Sequence, residues 1–116
     1  MAIERKEVGP RMSKAVVHGN TVYLAGVVAN EPKGKNVTEQ TKDILAQIDG
    51  LLAACGTDKS KLLKANIWIT DMGTFAQMNA VWDAWVSPGN TPARACVEAK
   101  LATPDYTVEI MVEAAK

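Results

Sequence analysis

Residues 62–70 read LLKANIWIT. Ala65, Ile67 and Ile69 alternate with Lys64, Asn66, Trp68 and Thr70, the period of two that a half-buried strand requires. A helical pattern lies on either side. Upstream, Ile44, Leu45, Ile48, Leu51, Leu52 and Cys55 recur along one stripe behind Thr38, a candidate N-cap, and Gly56 suits the position just past the helix end. Downstream, Asp71 is a candidate cap for a second stripe of Phe75, Met78, Val81, Trp82, Trp85 and Val86, stopped by Ser87-Pro88-Gly89-Asn90. A strand between two one-sided helices predicts an α+β fold, a mixed sheet with both helices on one face.

Further out, two apolar runs, Ala15–Val17 and Val22–Val28, flank Gly19-Asn20, a two-residue hairpin signal. Residues 2–8 alternate weakly and suit an edge strand, while Glu31-Pro32-Lys33-Gly34-Lys35 is a loop. The last strands are expected at Ala93–Ala99 and Tyr106–Ala114, joined by a loop containing Pro104. The expected order is thus β-β-β-α-β-α-β-β. At 116 residues with no linker or low-complexity stretch, the chain is expected to be a single domain, 1–116.

Lys and Arg number 13 against 13 Asp and Glu, and no basic stripe appears, so phosphate-driven nucleic-acid binding has no electrostatic footprint. Two cysteines, Cys55 and Cys96, make neither a disulfide framework nor a zinc spacing. MAIERKEVG lacks the apolar run of a signal peptide, and no apolar stretch reaches a membrane span. A cytoplasmic location without membrane contact is the expectation.

Two helices cover one side of a sheet and leave the other bare. In the last strand Val108, Ile110 and Val112 form an aliphatic face opposite Thr107, Glu109, Met111 and Glu113. With the aliphatic faces given to the helices, the far side is expected to collect Asn66, Trp68, Arg94, Cys96, Glu109 and Met111. Such a face is too apolar for water and too polar for a core, and another copy of the chain is its simplest cover. Arg94 then has two readings. One is an ion pair with Glu98, Glu109 or Glu113 that holds an interface; the other is a fork that grips a small carboxylate. For Cys96 we prefer a filler or backbone contact to a nucleophile, because His18, the only histidine, sits at a hairpin end. Asn79 lies between Phe75 and Trp82 on the second stripe, so its amide must find partners.

These residues resemble the Rid family, the reactive intermediate deaminases also called the YjgF family. The resemblance covers nearly the whole chain. It is carried by Gly19-Asn20 with Val22-Tyr23-Leu24-Ala25-Gly26, by Gln40 and Ile44, by Gly56, by Asp71, Phe75 and Asn79, by Pro92-Ala93-Arg94 with Cys96-Val97, and by Val108-Glu109-Ile110. It implies a chorismate-mutase-like fold and a homotrimer with sites in clefts between subunits. It implies hydrolysis of reactive enamines and imines, of the 2-aminoacrylate and 2-iminobutanoate type, to 2-keto acids and ammonia, with no cofactor and no metal. Arg94 matches the family arginine that binds the substrate carboxylate, and Cys96 an adjacent position that holds the ligand through its backbone. Glu109 matches the glutamate linked to the attacking water, and Asn79 an asparagine found at the cleft. Two departures mark a branch of the family. Met12 or Ser13 stands near the usual site tyrosine, and Ala25 replaces a common serine. The alternative reading is a non-catalytic trimer that binds keto acids or other carboxylates for regulation.

Overall fold

The computed structural model describes residues 1–116. Its elements are β1 (Ile3–Val8), β2 (Ser13–His18), β3 (Thr21–Leu24), α1 (Val37–Ala54), β4 (Leu62–Ile69), α2 (Phe75–Trp85), β5 (Ala93–Glu98) and β6 (Val108–Ala115). The strands form one mixed sheet in the order β1-β2-β3-β6-β4-β5. β4 and β5 are parallel, joined through α2, and every other neighbouring pair is antiparallel. Both helices lie on one face, giving the α+β architecture of the chorismate-mutase-like fold.

Gly19-Asn20 makes the expected two-residue turn, with His18 paired to Thr21. β3 is shorter than its apolar run. It stops at Leu24, and Val27 returns to the sheet as an isolated bridge that exchanges backbone hydrogen bonds with Ile110 at 2.8 and 3.1 Å. The break falls at Ala25-Gly26, where a side chain from β6 occupies the space that a Cβ would need.

The cap of α1 lies two residues before the expected one, Thr38. Asn36 takes that role: its side chain accepts the Glu39 N–H at 2.9 Å, and Glu39 accepts the Asn36 N–H at 3.2 Å. This reciprocal box satisfies two helix-end donors at once, which Thr38 cannot do from inside the first turn. Gly56 follows the helix at φ +77°, a left-handed conformation that favours glycine. Asp71 caps a 3₁₀ turn, Met72–Thr74, that leads directly into α2.

Twenty-two buried residues form the core between the helix stripes and the covered sheet face. Gln40 is buried within it and fixes two loops. Its amide nitrogen donates to the carbonyls of Pro32, Lys35 and Asp105, and its oxygen accepts the Thr107 N–H at 3.0 Å. The residues entering β6 are thereby tied to α1. No helix is long and apolar enough to cross a membrane.

The other sheet face is bare, as expected, and carries Tyr23, Asn66, Trp68, Val97, Glu109 and Met111. Two expected members are absent from it. The parallel register pairs Ala65 with Arg94, Ile67 with Cys96 and Ile69 with Glu98. Paired residues share a face, so Arg94 and Cys96 stand on the helix side, and Ala95 and Val97 take the bare side. Assigning the aliphatic face to the helices fails here because β5 is an edge strand, and five of its six residues are exposed.

Candidate anion-binding site

Arg94 leaves the outermost strand on the helix side and meets α2. Its guanidinium carbon lies 5.4 Å from the centroid of the Trp82 ring and 5.9 Å from that of Phe75, within cation–π range. Those rings are seven residues apart on α2, about 10 Å along the axis. A carbon that close to both sits between them, over the turn that carries Met78 and Asn79. The side-chain oxygen of Asn79 is buried there and accepts no hydrogen bond.

Arg94 forms no ion pair within its chain. The two ion pairs are Lys6–Glu4 and Lys14–Glu7, both near the opposite sheet edge. Glu98, the carboxylate on its own strand, accepts the Met72 N–H at 2.8 Å. Arg94 is an exposed residue, and its guanidinium makes no ion pair or side-chain hydrogen bond within the chain. A planar fork in that state matches a carboxylate in bidentate fashion.

Cys96 packs against the rim of the core, two residues on from Arg94. Burial pushes its thiol above the ordinary range, and the Arg94 charge opposes this without cancelling it. A thiol held protonated is a filler rather than a nucleophile.

Glu109 projects from β6 onto the bare face beside Trp68. Its carboxylate lies against Gly26, where a Cβ would collide with it. It has no ion-pair partner in the chain.

The structure therefore brings Arg94, Asn79 and Cys96 together and sets Glu109 apart. Arg94 aligns across β4 with Val112, three residues from Glu109. Two strand spacings and three residues amount to about 14 Å in the sheet plane, and the two side chains leave opposite faces. None of the four main cavities is lined by any of these residues. The largest, 620 Å³, is a groove between α1 and α2. No cluster of three or more His, Cys, Asp or Glu side chains offers a metal site. Sequence reasoning assigned Phe75 and Trp82 to the core and missed their contact with Arg94. Their spacing around Asn79 was visible, but the strand register that brings Arg94 above them was not.

Fold and site define a chorismate-mutase-like α+β protein with an unpaired arginine at one sheet edge and a carboxylate on its bare face. Residues 5–116 match the family described as Endoribonuclease L-PSP. A RutC family protein of Haemophilus influenzae is 45% identical over 112 residues, which cover 97% of each chain. The RutC family protein YoaB of Escherichia coli is 44% identical over 115 residues, 99% of each chain. A crystal structure of a YjgF-family protein from Neisseria meningitidis superposes with a TM-score of 0.96 at 51% identity, covering 100% of this chain and 96% of that one. The chain belongs to the Rid/YjgF family.

Proposed function

We propose that the protein hydrolyses 2-imino acids and their enamine tautomers to 2-keto acids and ammonia. The active form is a homotrimer in the cytoplasm, and each site takes Arg94 from one copy and Glu109 from its neighbour. The observation that carries this reading is the guanidinium of Arg94, held between two rings with no acidic partner. The separation of Glu109 supports the shared site. A substrate of six or seven heavy atoms does not span about 14 Å and a sheet, whereas a neighbour seated on the bare face brings a second Glu109 to the edge strand.

Arg94 binds the substrate carboxylate and fixes the imine carbon. Glu109 takes a proton from a water molecule, whose oxygen adds to that carbon. That proton is returned to the nitrogen to complete the neutral carbinolamine. Glu109 then takes the carbinolamine hydroxyl proton and passes it to the amine nitrogen, the C–N bond breaks, and ammonia leaves as the carbonyl forms. The unpartnered oxygen of Asn79 is an acceptor for an N–H of substrate or leaving group. Imines hydrolyse in water unaided, so positioning supplies much of the required acceleration. The neutral thiol of Cys96 fits a backbone contact to the ligand.

A second reading, carboxylate binding without turnover, has its own support. Met12 and Ala25, at or near positions where active relatives carry tyrosine and serine, line one cleft of 330 Å³. RNA cleavage, which the family description names, draws no support from a net charge of 0.

The test generates 2-iminobutanoate from threonine with a threonine dehydratase and follows 2-ketobutyrate release. The expected result is acceleration by wild type, none by Arg94→Ala, and little by Arg94→Lys, which keeps the charge and loses the fork. Saturable keto-acid binding without acceleration establishes the second reading. Equal activity of wild type and Arg94→Ala refutes carboxylate gripping.

A further inference from the structure

An arginine that receives an anion faces a conflict. Left free, its long side chain samples many rotamers, and binding must freeze them. Held by a carboxylate, it is ordered but has lost its charge and its donors. This chain resolves the conflict by using aromatic faces, which attract a cation without consuming a single N–H.

We infer that Phe75 and Trp82 are positioning residues that clamp the Arg94 guanidinium between their rings in a charged, unpaired and preorganised state. The inference rests on the anion-binding reading given above. Three observations carry it. First, one guanidinium carbon lies 5.4 Å from one ring centroid and 5.9 Å from the other, and the rings are on the same helix. Second, the clamp is itself braced: Trp82 is buried and packs against Trp85 at 5.4 Å between centroids, tilted by 53°. The Trp85 indole N–H in turn donates to Asp49 of α1 at 3.0 Å. A chain of contacts thus runs from α1 through Trp85 and Trp82 to Arg94. Third, the carboxylate nearest in sequence, Glu98, is engaged by the Met72 N–H and does not neutralise Arg94.

The clamp also explains why the arginine is on an edge strand with an exposed side chain and yet has a defined position. α2 carries its apolar stripe past the end of the core, and the surplus aromatic surface at Phe75 becomes the floor of the site.

The experiment uses Trp82→Leu and Phe75→Leu, with Trp82→Tyr as the conservative rescue. Circular dichroism first establishes that each variant is folded. Phe75 is only half-buried, so its variant keeps the test open if Trp82→Leu unfolds. Two readouts follow. In NMR spectra of the free protein, the side-chain protons of Arg94 are expected upfield of ordinary arginine positions through ring currents, returning toward them in each Leu variant. In calorimetric titration with 2-ketobutyrate, each Leu variant is expected to bind about 3- to 30-fold more weakly, with Trp82→Tyr close to wild type. Ordinary Arg94 shifts in wild type overturn the clamp. So does wild-type affinity in both Leu variants when Arg94→Ala abolishes binding, an outcome that leaves the anion site standing. Absence of binding by wild type refutes the site itself, and the inference with it.

Discussion

Gly26→Ala separates the site from the fold more cleanly than any substitution of a charged residue. Gly26 is not among the glycines with positive φ, so alanine adopts its backbone without strain. The three nearest heavy atoms to the added methyl all belong to Glu109: Oε2, which it overlaps, Cδ at 3.1 Å and Cγ at 3.5 Å. The far end of a flexible side chain must therefore move, and the backbone need not. Relieving the overlap shifts the carboxylate by about 1 Å, and a misplacement of that size costs on the order of 100-fold in rate. The stability terms nearly cancel. An off-rotamer Glu109 costs about 0.5–1.5 kcal/mol, and the reduced freedom of the unfolded chain returns about 0.4–1 kcal/mol. The expected outcome is a urea midpoint close to wild type and imine hydrolysis reduced by about 100-fold, measured on the same preparation. Full turnover would remove Glu109 from the chemistry. Loss of several kcal/mol would mean that the backbone, not the carboxylate, meets the methyl.

Three further outcomes follow from other contacts. Gln40→Leu strands the Thr107 N–H and frees three loop carbonyls, and should cost about 2–4 kcal/mol in chemical denaturation; an unchanged midpoint would mean that water replaces the amide. Trp68→Glu places a charge in the middle of the bare face and should convert the assembly to monomers in sedimentation, while an unaltered oligomer would show that this face is not the interface. Burial holds the thiols of Cys55 and Cys96 above their ordinary range. The unfolded chain then loses these protons first, so their contribution to stability is complete below about pH 8.5 and declines above it. The Cys55→Ala/Cys96→Ala variant should lose less stability than wild type between about pH 8 and pH 10, and an identical pH dependence contradicts the assignment.

Residues whose periodicity reports burial were legible. Ala65, Ile67 and Ile69, the α1 stripe, the Gly19-Asn20 turn and the bare face itself all follow from spacing and a count of helices. The position of Arg94 was not legible. Alternation within Ala93–Glu98 states which residues share a face, but the parallel register with β4 decides which face that is. Hydrophobicity pointed the wrong way because the edge strand lies beyond the cover of α1, so neither of its faces needed to be apolar. Phe75 and Trp82 do belong to the core stripe, as their spacing indicated, but their added contact with Arg94 was not legible, since it is made with a strand not paired until the sheet forms. The cap at Asn36 was overlooked because Thr38 offers the same chemistry two residues later; only the reciprocal bond to Glu39 distinguishes them.

Subunit mixing tests the shared site most directly. Arg94→Ala and Glu109→Gln proteins, each inactive alone, are unfolded together in equal amounts and refolded so that copies assort at random. A site that draws Arg94 from one copy and Glu109 from the next regains both residues in about a quarter of the interfaces of a closed ring, so about a quarter of wild-type activity should return. Activity that stays at the level of the separate variants, in oligomers proven to be mixed, would contradict the account.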